Sequence, residues 1–142
     1  MSAGAPGHTR PTPVVSVDNA FYWEAAGRGE LLIQGCGACG QLCHPPSPLC
    51  PSCHSAERVT QSMSGRGRVA SYIIVRHPPN PWFEMPIAVA TIELDEGPQV
   101  TGNLVEVPLD EIDLGMEVEV LYAATEDPEL GVPLFRPAGS AR

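Results

Sequence analysis

Beyond about residue 63, hydrophobic and polar positions alternate along the chain. Alternation with period two is typical of strands that bury one face. Five segments show it, separated by turn-forming residues, at 68–76, 87–94, 99–107, 117–125 and 132–136. Five strands with hardly any helix between them predict a mainly β domain built around a small barrel. Among five-stranded barrels the OB-fold is the commonest form, although spacing alone does not separate it from an SH3-like barrel.

The segment before this alternation predicts one short helix and one strand. Asp18 is positioned to cap a helix over residues 19–26, and Gly27 suits the left-handed conformation that ends a helix. The strand covers residues 30–34. Three consecutive aromatic residues lie in the helix: Phe21, Tyr22 and Trp23. They cannot all point to one face, so part of this cluster packs on another element of the chain or forms an interface with a partner.

The cysteines carry the strongest chemical signal in the sequence. Cys36 and Cys39 form one C-x-x-C pair, and Cys50 and Cys53 form a second after ten intervening residues. Two such turns facing each other place four thiolates in a tetrahedron, which predicts one structural Zn²⁺ and leaves no open position for a substrate. Sulfur tetrahedra also accept iron, so electron transfer by a rubredoxin-like site competes, and visible absorption would decide between the metals.

Three further potential ligands lie close to the two pairs. Cys43 belongs to neither C-x-x-C pair, and we interpret it as a spare thiol. A reactive nucleophile at this position would need a base that the sequence does not offer. His44 and His54 are interpreted as surface groups rather than ligands.

Composition divides the chain into four segments. Residues 1–13 contain three prolines and almost no large apolar side chain, which predicts a flexible tail without function. Residues 14–62 hold the N-terminal helix and the zinc ribbon. The barrel occupies residues 63–137, and residues 138–142 form a second flexible tail.

Charge is distributed unevenly along the chain. Eight Arg and no Lys stand against 17 acidic residues, giving a net charge of −9. Residues 1–80 carry a net +2 and residues 81–142 a net −11, so we expect an anionic ligand to bind the first half. This balance opposes nucleic-acid binding, which combines basic grooves with aromatic stacking platforms.

Two features of the barrel region are candidate contact sites. Arg66, Arg68 and Arg76 could pair with the phosphates of an anionic ligand; the alternative is a solvated strand face that balances the acidic half. The loop at residues 77–86 contains four prolines and an aromatic pair, Trp82 and Phe83. It joins the first two barrel strands, where OB-folds often bind ligands, so the pair is a candidate partner interface. Alternatively, the two rings close one end of their own barrel.

A series of short motifs resembles the zinc-ribbon/OB-fold family called domain of unknown function 35. The resemblance runs from about Val14 to Pro137. Its motifs, in order, are Gly29–Gln34, Cys36-x-x-Cys39-Gly40, His44-Pro45-Pro46, Cys50-Pro51-x-Cys53, Gly65-x-Gly67, Pro86-Ile87, Glu93–Gly97, Gly115-Met116 and Phe135-Arg136-Pro137.

This resemblance implies a function exercised through a partner. Members of the family accompany acyl-CoA enzymes, either beside thiolase-like proteins or within MaoC-type hydratase subunits. The resemblance therefore implies a CoA tail as the possible phosphate ligand of Arg66, Arg68 and Arg76. Segments 13–15 and 79–86 are most similar to actinobacterial members of steroid side-chain degradation, whose partner resembles a lipid-transfer-type thiolase acting as a retro-aldolase on a steroid acyl-CoA. The family's metal ligands correspond to the two C-x-x-C pairs, whereas a cysteine at position 43 departs from its pattern and leaves ligand swapping open.

We therefore expect a cytoplasmic accessory subunit that binds and stabilises a thiolase-like enzyme and is not catalytic alone. No apolar run is long enough to cross a membrane, and no secretory signal is visible. The alternatives are a single-stranded nucleic-acid-binding protein and a subunit of a different thiolase or hydratase complex.

Overall fold

The computed structural model describes residues 9–139. Within this range it contains one α-helix, eight β-strands and a single 3₁₀ turn. Their bounds are α1 Ala20–Gly27, β1 Leu32–Cys36, β2 Leu42–Cys43, β3 Arg58–Ser62, β4 Arg66–Val75, β5 Ile87–Leu94, β6 Gln99–Leu104, the 3₁₀ turn Leu109–Glu111, β7 Glu117–Ala124 and β8 Gly131–Pro137. No helix within the described range is long and apolar enough to cross a membrane.

The last five strands form the predicted barrel. Their spatial order is β4-β5-β6-β8-β7, and β7 pairs with β4 to close the circle. The pairs are antiparallel except that between β6 and β8, which is parallel and limited to Leu104 and Phe135. This topology confirms the OB-fold. β5 has the predicted bounds, whereas β6 ends three residues early because Glu106 adopts a left-handed φ of 61°, which breaks an extended strand.

One apolar core extends from the barrel to the elements that precede it. Its fully buried side chains in the barrel include Ile92, Val118 and Phe135. Ile33 of β1 and Tyr22 of α1 belong to the same buried cluster. The barrel core is therefore continuous with the base of the ribbon.

The first three strands form a separate antiparallel sheet in the order β2-β1-β3. The predicted strand at residues 30–34 is displaced by two residues and runs directly into Cys36. The sequence pattern did not predict β2 or β3. β2 has only two residues, and four of the five residues of β3 are exposed, so neither strand has an alternating apolar face.

The helix differs from its prediction at both ends. The residue before it is Asn19 rather than Asp18. The Asp18 carboxylate instead accepts a hydrogen bond from Arg58 of β3, at 2.8 Å. At the other end, Gly27 is still helical, and Gly29 has the left-handed φ of 79°.

Gly27 has a packing role instead of the predicted conformational one. A Cβ atom at this position would lie 2.4 Å from the backbone oxygen of Glu129, far closer than van der Waals contact allows. Gly131, at the start of β8, approaches the Ala26 carbonyl oxygen in the same way, with a virtual Cβ at 2.7 Å. These two glycines let α1 lie directly against the barrel.

The predicted terminal tails lie only partly within the described residues. Residues 1–8 and 140–142 are outside them. Within the predicted N-terminal tail, Arg10 is not a tail residue, because its side chain is only 2% exposed and its backbone N–H donates to the Ala124 carbonyl, at 2.9 Å. At the other end, the Ala138 N–H donates to the Glu117 carbonyl and extends the pairing of β7 and β8.

Candidate functional site

The ribbon brings the four predicted ligands together. Cys36 is the last residue of β1, and Cys39 follows in the turn that leads to β2. Cys50 and Cys53 lie in a second turn before β3. The four sulfur atoms all lie within 4.8 Å of one another.

The sulfur geometry fits a single tetrahedral ion. The Sγ atoms of Cys36 and Cys53 are 3.6 Å apart, as are those of Cys39 and Cys50. A Zn–S bond of about 2.3 Å in a regular tetrahedron places sulfur atoms about 3.8 Å apart. Four thiolates complete the coordination sphere of Zn²⁺, so the site is structural and closed to substrates. This arrangement of four sulfur atoms confirms the predicted cofactor, one structural zinc.

The two cysteine turns repeat one backbone arrangement. In each turn the N–H of the residue four positions after the first cysteine donates to that cysteine's carbonyl, at 2.9 Å: Gly40 to Cys36 and His54 to Cys50. Both donors have left-handed φ angles, 81° at Gly40 and 63° at His54. The equivalent position thus holds glycine in one turn and a strained non-glycine residue in the other.

Backbone amides surround the buried sulfurs. The N–H groups of Cys39 and Ala38 point at the Cys36 sulfur, at 3.4 and 3.3 Å, and lower the pKa of this thiol to about 6. The Cys53 and Ser52 amides lower the pKa of Cys50 in the same way. Because metal binding requires thiolates, these donors favour the form that holds the ion.

A buried glutamine fixes the connection between the two turns. The Gln34 side chain is 3% exposed, and its amide donates to the Ser47 carbonyl at 2.8 Å while accepting from the Ser47 N–H at 2.9 Å. This pair of hydrogen bonds ties the proline-rich segment to the middle of β1. Sequence reasoning missed it, since a lone glutamine in a strand gives no signal of a partner 13 residues away.

The additional potential ligands lie outside the four-sulfur cluster. Cys43 points elsewhere, with its Sγ 3.4 Å from the Pro45 carbonyl oxygen, in agreement with its interpretation as a spare thiol. His54 is exposed as expected. His44 is not the predicted surface group, because its ring packs 4.9 Å from the ring of Tyr22 and burial lowers its pKa.

The three helix aromatics are only partly available to a partner. Tyr22 is buried in the shared core, and Phe21 and Trp23 are half-buried against it. The Trp23 ring meets Tyr22 edge to face at 4.9 Å. Phe21 also lines a shallow depression with Arg58 and other residues of the ribbon. Most of the cluster therefore packs within the chain.

The three candidate CoA arginines do not form one site. Arg66 and Arg68 lie exposed on the same face of β4, opposite acidic residues of β5 and β7 in the strand register. A bulge between Val69 and Ser71 then shifts the alternation of β4. Arg76 lies beyond the far end of the strand, about 26 Å from Arg68 at 3.3 Å per residue. Only the first two arginines could bind one phosphate group together.

The aromatic pair in the loop between β4 and β5 is divided between two environments. Trp82 is 37% exposed, whereas Phe83 turns inward and its ring lies 4.9 Å below the guanidinium carbon of Arg10. Asn80 shapes this turn by accepting hydrogen bonds from both Trp82 and Phe83 backbone N–H groups, at 2.9 and 3.1 Å. Trp82 is thus the member of the pair that faces solvent.

An apolar cavity lies beside this loop. It has a volume of about 360 Å³ and is lined by residues of the β5 start, the β6 end and the segment before the 3₁₀ turn. Glu106, which lines it, pairs with Arg136 at 3.6 Å.

Two family models match the chain, one over most of the ribbon and one over most of the barrel. The rubredoxin-like zinc ribbon domain of ChsH2 matches residues 23–57, and the C-terminal OB-fold domain of ChsH2 matches residues 60–123.

Several curated proteins are similar to the chain. The probable enoyl-CoA hydratase alpha subunit of Thermomonospora curvata is 50% identical over 91% of this chain, which spans 40% of that protein. A DUF35 domain-containing scaffold protein of Pyrococcus furiosus is 38% identical over 70% of this chain and 74% of its own length. The 3-oxo-4,17-pregnadiene-20-carboxyl-CoA hydratase alpha subunit of Mycobacterium tuberculosis is 34% identical over 78% of this chain, which spans 35% of that protein.

A solved structure matches nearly end to end. A chain of the Ltp2-ChsH2(DUF35) aldolase superposes with a TM-score of 0.84 at 48% identity, covering 89% of this chain and 99% of that one.

Proposed function

Because the chain belongs to the DUF35 family of zinc-ribbon and OB-fold proteins, we propose that it is an accessory subunit that binds and stabilises a thiolase-like acyl-CoA enzyme. The observation that carries this proposal is the 48% identity to a chain of the Ltp2-ChsH2(DUF35) aldolase over 99% of that chain. The archaeal relative is a scaffold protein by name, which agrees with a supporting role.

The partner in this proposal is a retro-aldolase that cleaves a steroid side-chain CoA thioester. Two similarities support this finer assignment: the matched structure is an aldolase by name, and one relative is a subunit of a hydratase for a pregnadiene carboxyl-CoA. The chemistry itself is assigned to the partner. The four thiols of this chain complete the coordination of one ion, so that ion offers no position at which a substrate could be activated.

The proposed interface centres on Trp82, with Phe21 and Trp23 of the helix as further contacts. Trp82 combines a large apolar ring with partial exposure in a loop stiffened by four prolines, which limits the entropy lost on docking. Arg66 and Arg68 remain the proposed contacts for a CoA phosphate. The acidic strands opposite them weaken an anion's attraction, so this contact is secondary to the protein interface.

Co-expression with a lipid-transfer-type thiolase tests the proposal. We expect the two chains to co-purify by affinity pull-down, to co-elute in size exclusion and to cleave a steroid acyl-CoA only when both are present. Trp82→Ala should weaken the complex without lowering the melting temperature much, and Ile73→Ala, which alters another exposed apolar residue, serves as the matched control. A chain that stays alone and shifts single-stranded nucleic acid at physiological salt would overturn the proposal.

A hydratase complex is the second candidate function. It is favoured by the 50% identity to a probable enoyl-CoA hydratase alpha subunit, within which a segment like this chain occupies 40% of the length. The same pull-down with a MaoC-type hydratase in place of the thiolase distinguishes the two. Co-elution with the hydratase and not with the thiolase would favour the second candidate.

A further inference from the structure

Arg10 is a buried cation that belongs to neither the four-cysteine cluster nor the Arg66–Arg68 pair. Its side chain is 2% exposed, and burial lowers the pKa of its guanidinium. The Nε and one terminal nitrogen have no hydrogen-bond partner among the described residues. Within residues 9–139, none of the ion pairs involves Arg10.

Three contacts hold this side chain and its backbone in place. The residue forms a parallel bridge with Thr125, just beyond the end of β7. A terminal guanidinium nitrogen donates to the Asn103 side-chain oxygen on β6, and the Asn103 amide in turn donates to the Ala88 carbonyl on β5, at 3.1 Å. The guanidinium carbon lies 4.9 Å from the centre of the Phe83 ring. Arg10 therefore joins the N-terminal segment, two barrel strands and the loop at residues 77–86.

Burial makes the contact with Phe83 energetically important. A cation removed from water needs compensation, and within residues 9–139 one amide oxygen and one aromatic face supply it. A cation–π contact of this kind stabilises more when it is desolvated than when it lies at an exposed site. Because the Phe83 ring is one of the few groups that compensate the charge, the loop and the N-terminal segment stabilise each other.

The loop has few other ties to the barrel in its central part. Between the end of β4 and the start of β5, the described hydrogen bonds of this segment are those that Asn80 accepts from Trp82 and Phe83 within the loop. We propose that Arg10 is a positioning residue: by holding Phe83 inward, it keeps the neighbouring Trp82 facing solvent in a preformed docking surface for the thiolase-like partner. This inference rests on the proposed function for the identity of the partner, but not for the ordering of the loop.

The ordering is tested on the isolated chain by ¹⁵N relaxation. The probes are the Trp82 indole N–H and the Phe83 amide; since the chain has two tryptophans, Trp23→Phe assigns the indole signal. In Arg10→Met, which keeps an unbranched apolar side chain, we expect order parameters to fall from about 0.85 to below 0.6 at both probes while β5 amides stay rigid. Arg10→Lys, which retains the charge, should restore part of the order, and Arg76→Met, an exposed arginine beside the same loop, should change nothing.

The effect on docking is measured separately. If Arg10→Met leaves the loop in its docking conformation about a tenth of the time, the Kd for the partner rises about tenfold. Phe83→Leu should raise it similarly, and the double variant should be little worse than either single one, because both changes break one contact. Unchanged loop order in Arg10→Met, or equal loosening of the loop and β5, overturns the positioning role. A loop that loosens in a chain that binds no thiolase instead overturns the proposed function alone.

Discussion

In the barrel, inward side chains from all five strands meet in one apolar core, whereas β1 is the one ribbon strand with a fully buried side chain there and β2 adds the partly buried Leu42. Ile92 and Phe135 are at most 1% exposed, and so is Ile33 of β1. The other two ribbon strands are short or exposed along most of their length. Two β structures in the same chain thus differ in what can stabilise them.

The difference shows what the cysteines contribute. A strand such as β3, with one half-buried residue in five, buries too little apolar area to offset the entropy of ordering it. A structural zinc offsets that entropy by joining the two cysteine turns at one point. The ribbon therefore depends on a bond to metal, while the barrel depends on packing.

Removal of one ligand gives the largest expected effect. In Cys50→Ser, metal content should fall from one ion per chain towards zero, because three thiolates no longer complete the tetrahedron. The apparent binding free energy of structural zinc, about 10–16 kcal/mol in zinc-finger peptides, is also folding free energy, so the ribbon should lose its structure with the ion. Amides at 32–62 should lose hydrogen-exchange protection, while those of β5 and β8 keep most of theirs. Metal analysis and residue-resolved exchange measure both.

Cys43→Ser is the matched control, since this thiol lies in the same ribbon and outside the four-sulfur cluster. It should retain one ion per chain. Equal metal loss from both variants would show that the ligand set is wrong. Global unfolding of the barrel in Cys50→Ser would show that the two regions are not stabilised independently.

A substitution in the barrel core should have the opposite effect: it should destabilise the barrel and leave the metal site intact. Phe135→Ala removes a 1% exposed ring at the point where β8 meets β6, and should cost about 3–5 kcal/mol of unfolding free energy. Metal content should stay at one ion per chain at temperatures where the chain remains folded. Ile73→Ala, at a 61% exposed position, should cost far less. Metal loss from the folded variant would contradict a ribbon held by its own cysteines.

The contrast also explains which parts were predictable from the sequence. Barrel strands can be recognised in the sequence because burial of one face imposes an alternation of apolar and polar residues. The bounds of β5, for example, were predicted to the residue. The ligand set was equally clear, because C-x-x-C spacing is imposed by the metal. By contrast, β3 lacks an apolar face, so no periodicity marked it.

Tertiary contacts account for the remaining errors. Asp18 has the residue type of a helix cap, yet its carboxylate pairs with Arg58, 40 positions away. The prediction assigned Gly27 to a left-handed helix end, whereas in the structure its lack of a side chain lets the Glu129 backbone approach the helix closely. The prediction placed Arg10 in a flexible tail because it rested on the composition of residues 1–13, which does not reveal contacts with distant residues such as Asn103 and Phe83.

Gly27→Ala tests the junction between the two regions. Alanine favours the helix by up to about 1 kcal/mol, but its Cβ would meet the Glu129 carbonyl oxygen at 2.4 Å. Overpacking of this kind costs about 1–3 kcal/mol, so after subtracting the helix gain of about 1 kcal/mol we expect a net loss of up to about 2 kcal/mol in chemical denaturation. Glu24→Ala, at an exposed position of the same helix, should be close to neutral. A stabilised Gly27→Ala would show that α1 can move away from β8 without cost.

The smallest expected effect concerns acid stability of the barrel surface. Arg136 donates to Glu119 across the β7–β8 pair, at 3.0 Å, and this bond holds the pKa of Glu119 below its ordinary value of 4.5. A lowered folded pKa means that the pair stabilises the fold above pH 4.5 and that this contribution is lost as the pH falls through the folded value. Glu119→Gln should therefore destabilise the barrel at neutral pH and flatten the acid limb of its stability curve.

The readout for this variant must separate barrel from ribbon, because thiolate sites also release metal in acid. Hydrogen exchange of β7 and β8 amides against pH reports on the barrel alone. Glu126→Gln, at an exposed position in the turn after β7, should leave the curve unchanged. If Glu119→Gln leaves the acid limb as steep as before, the Arg136–Glu119 pair does not set the acid sensitivity of the barrel, and other groups of the barrel must account for it.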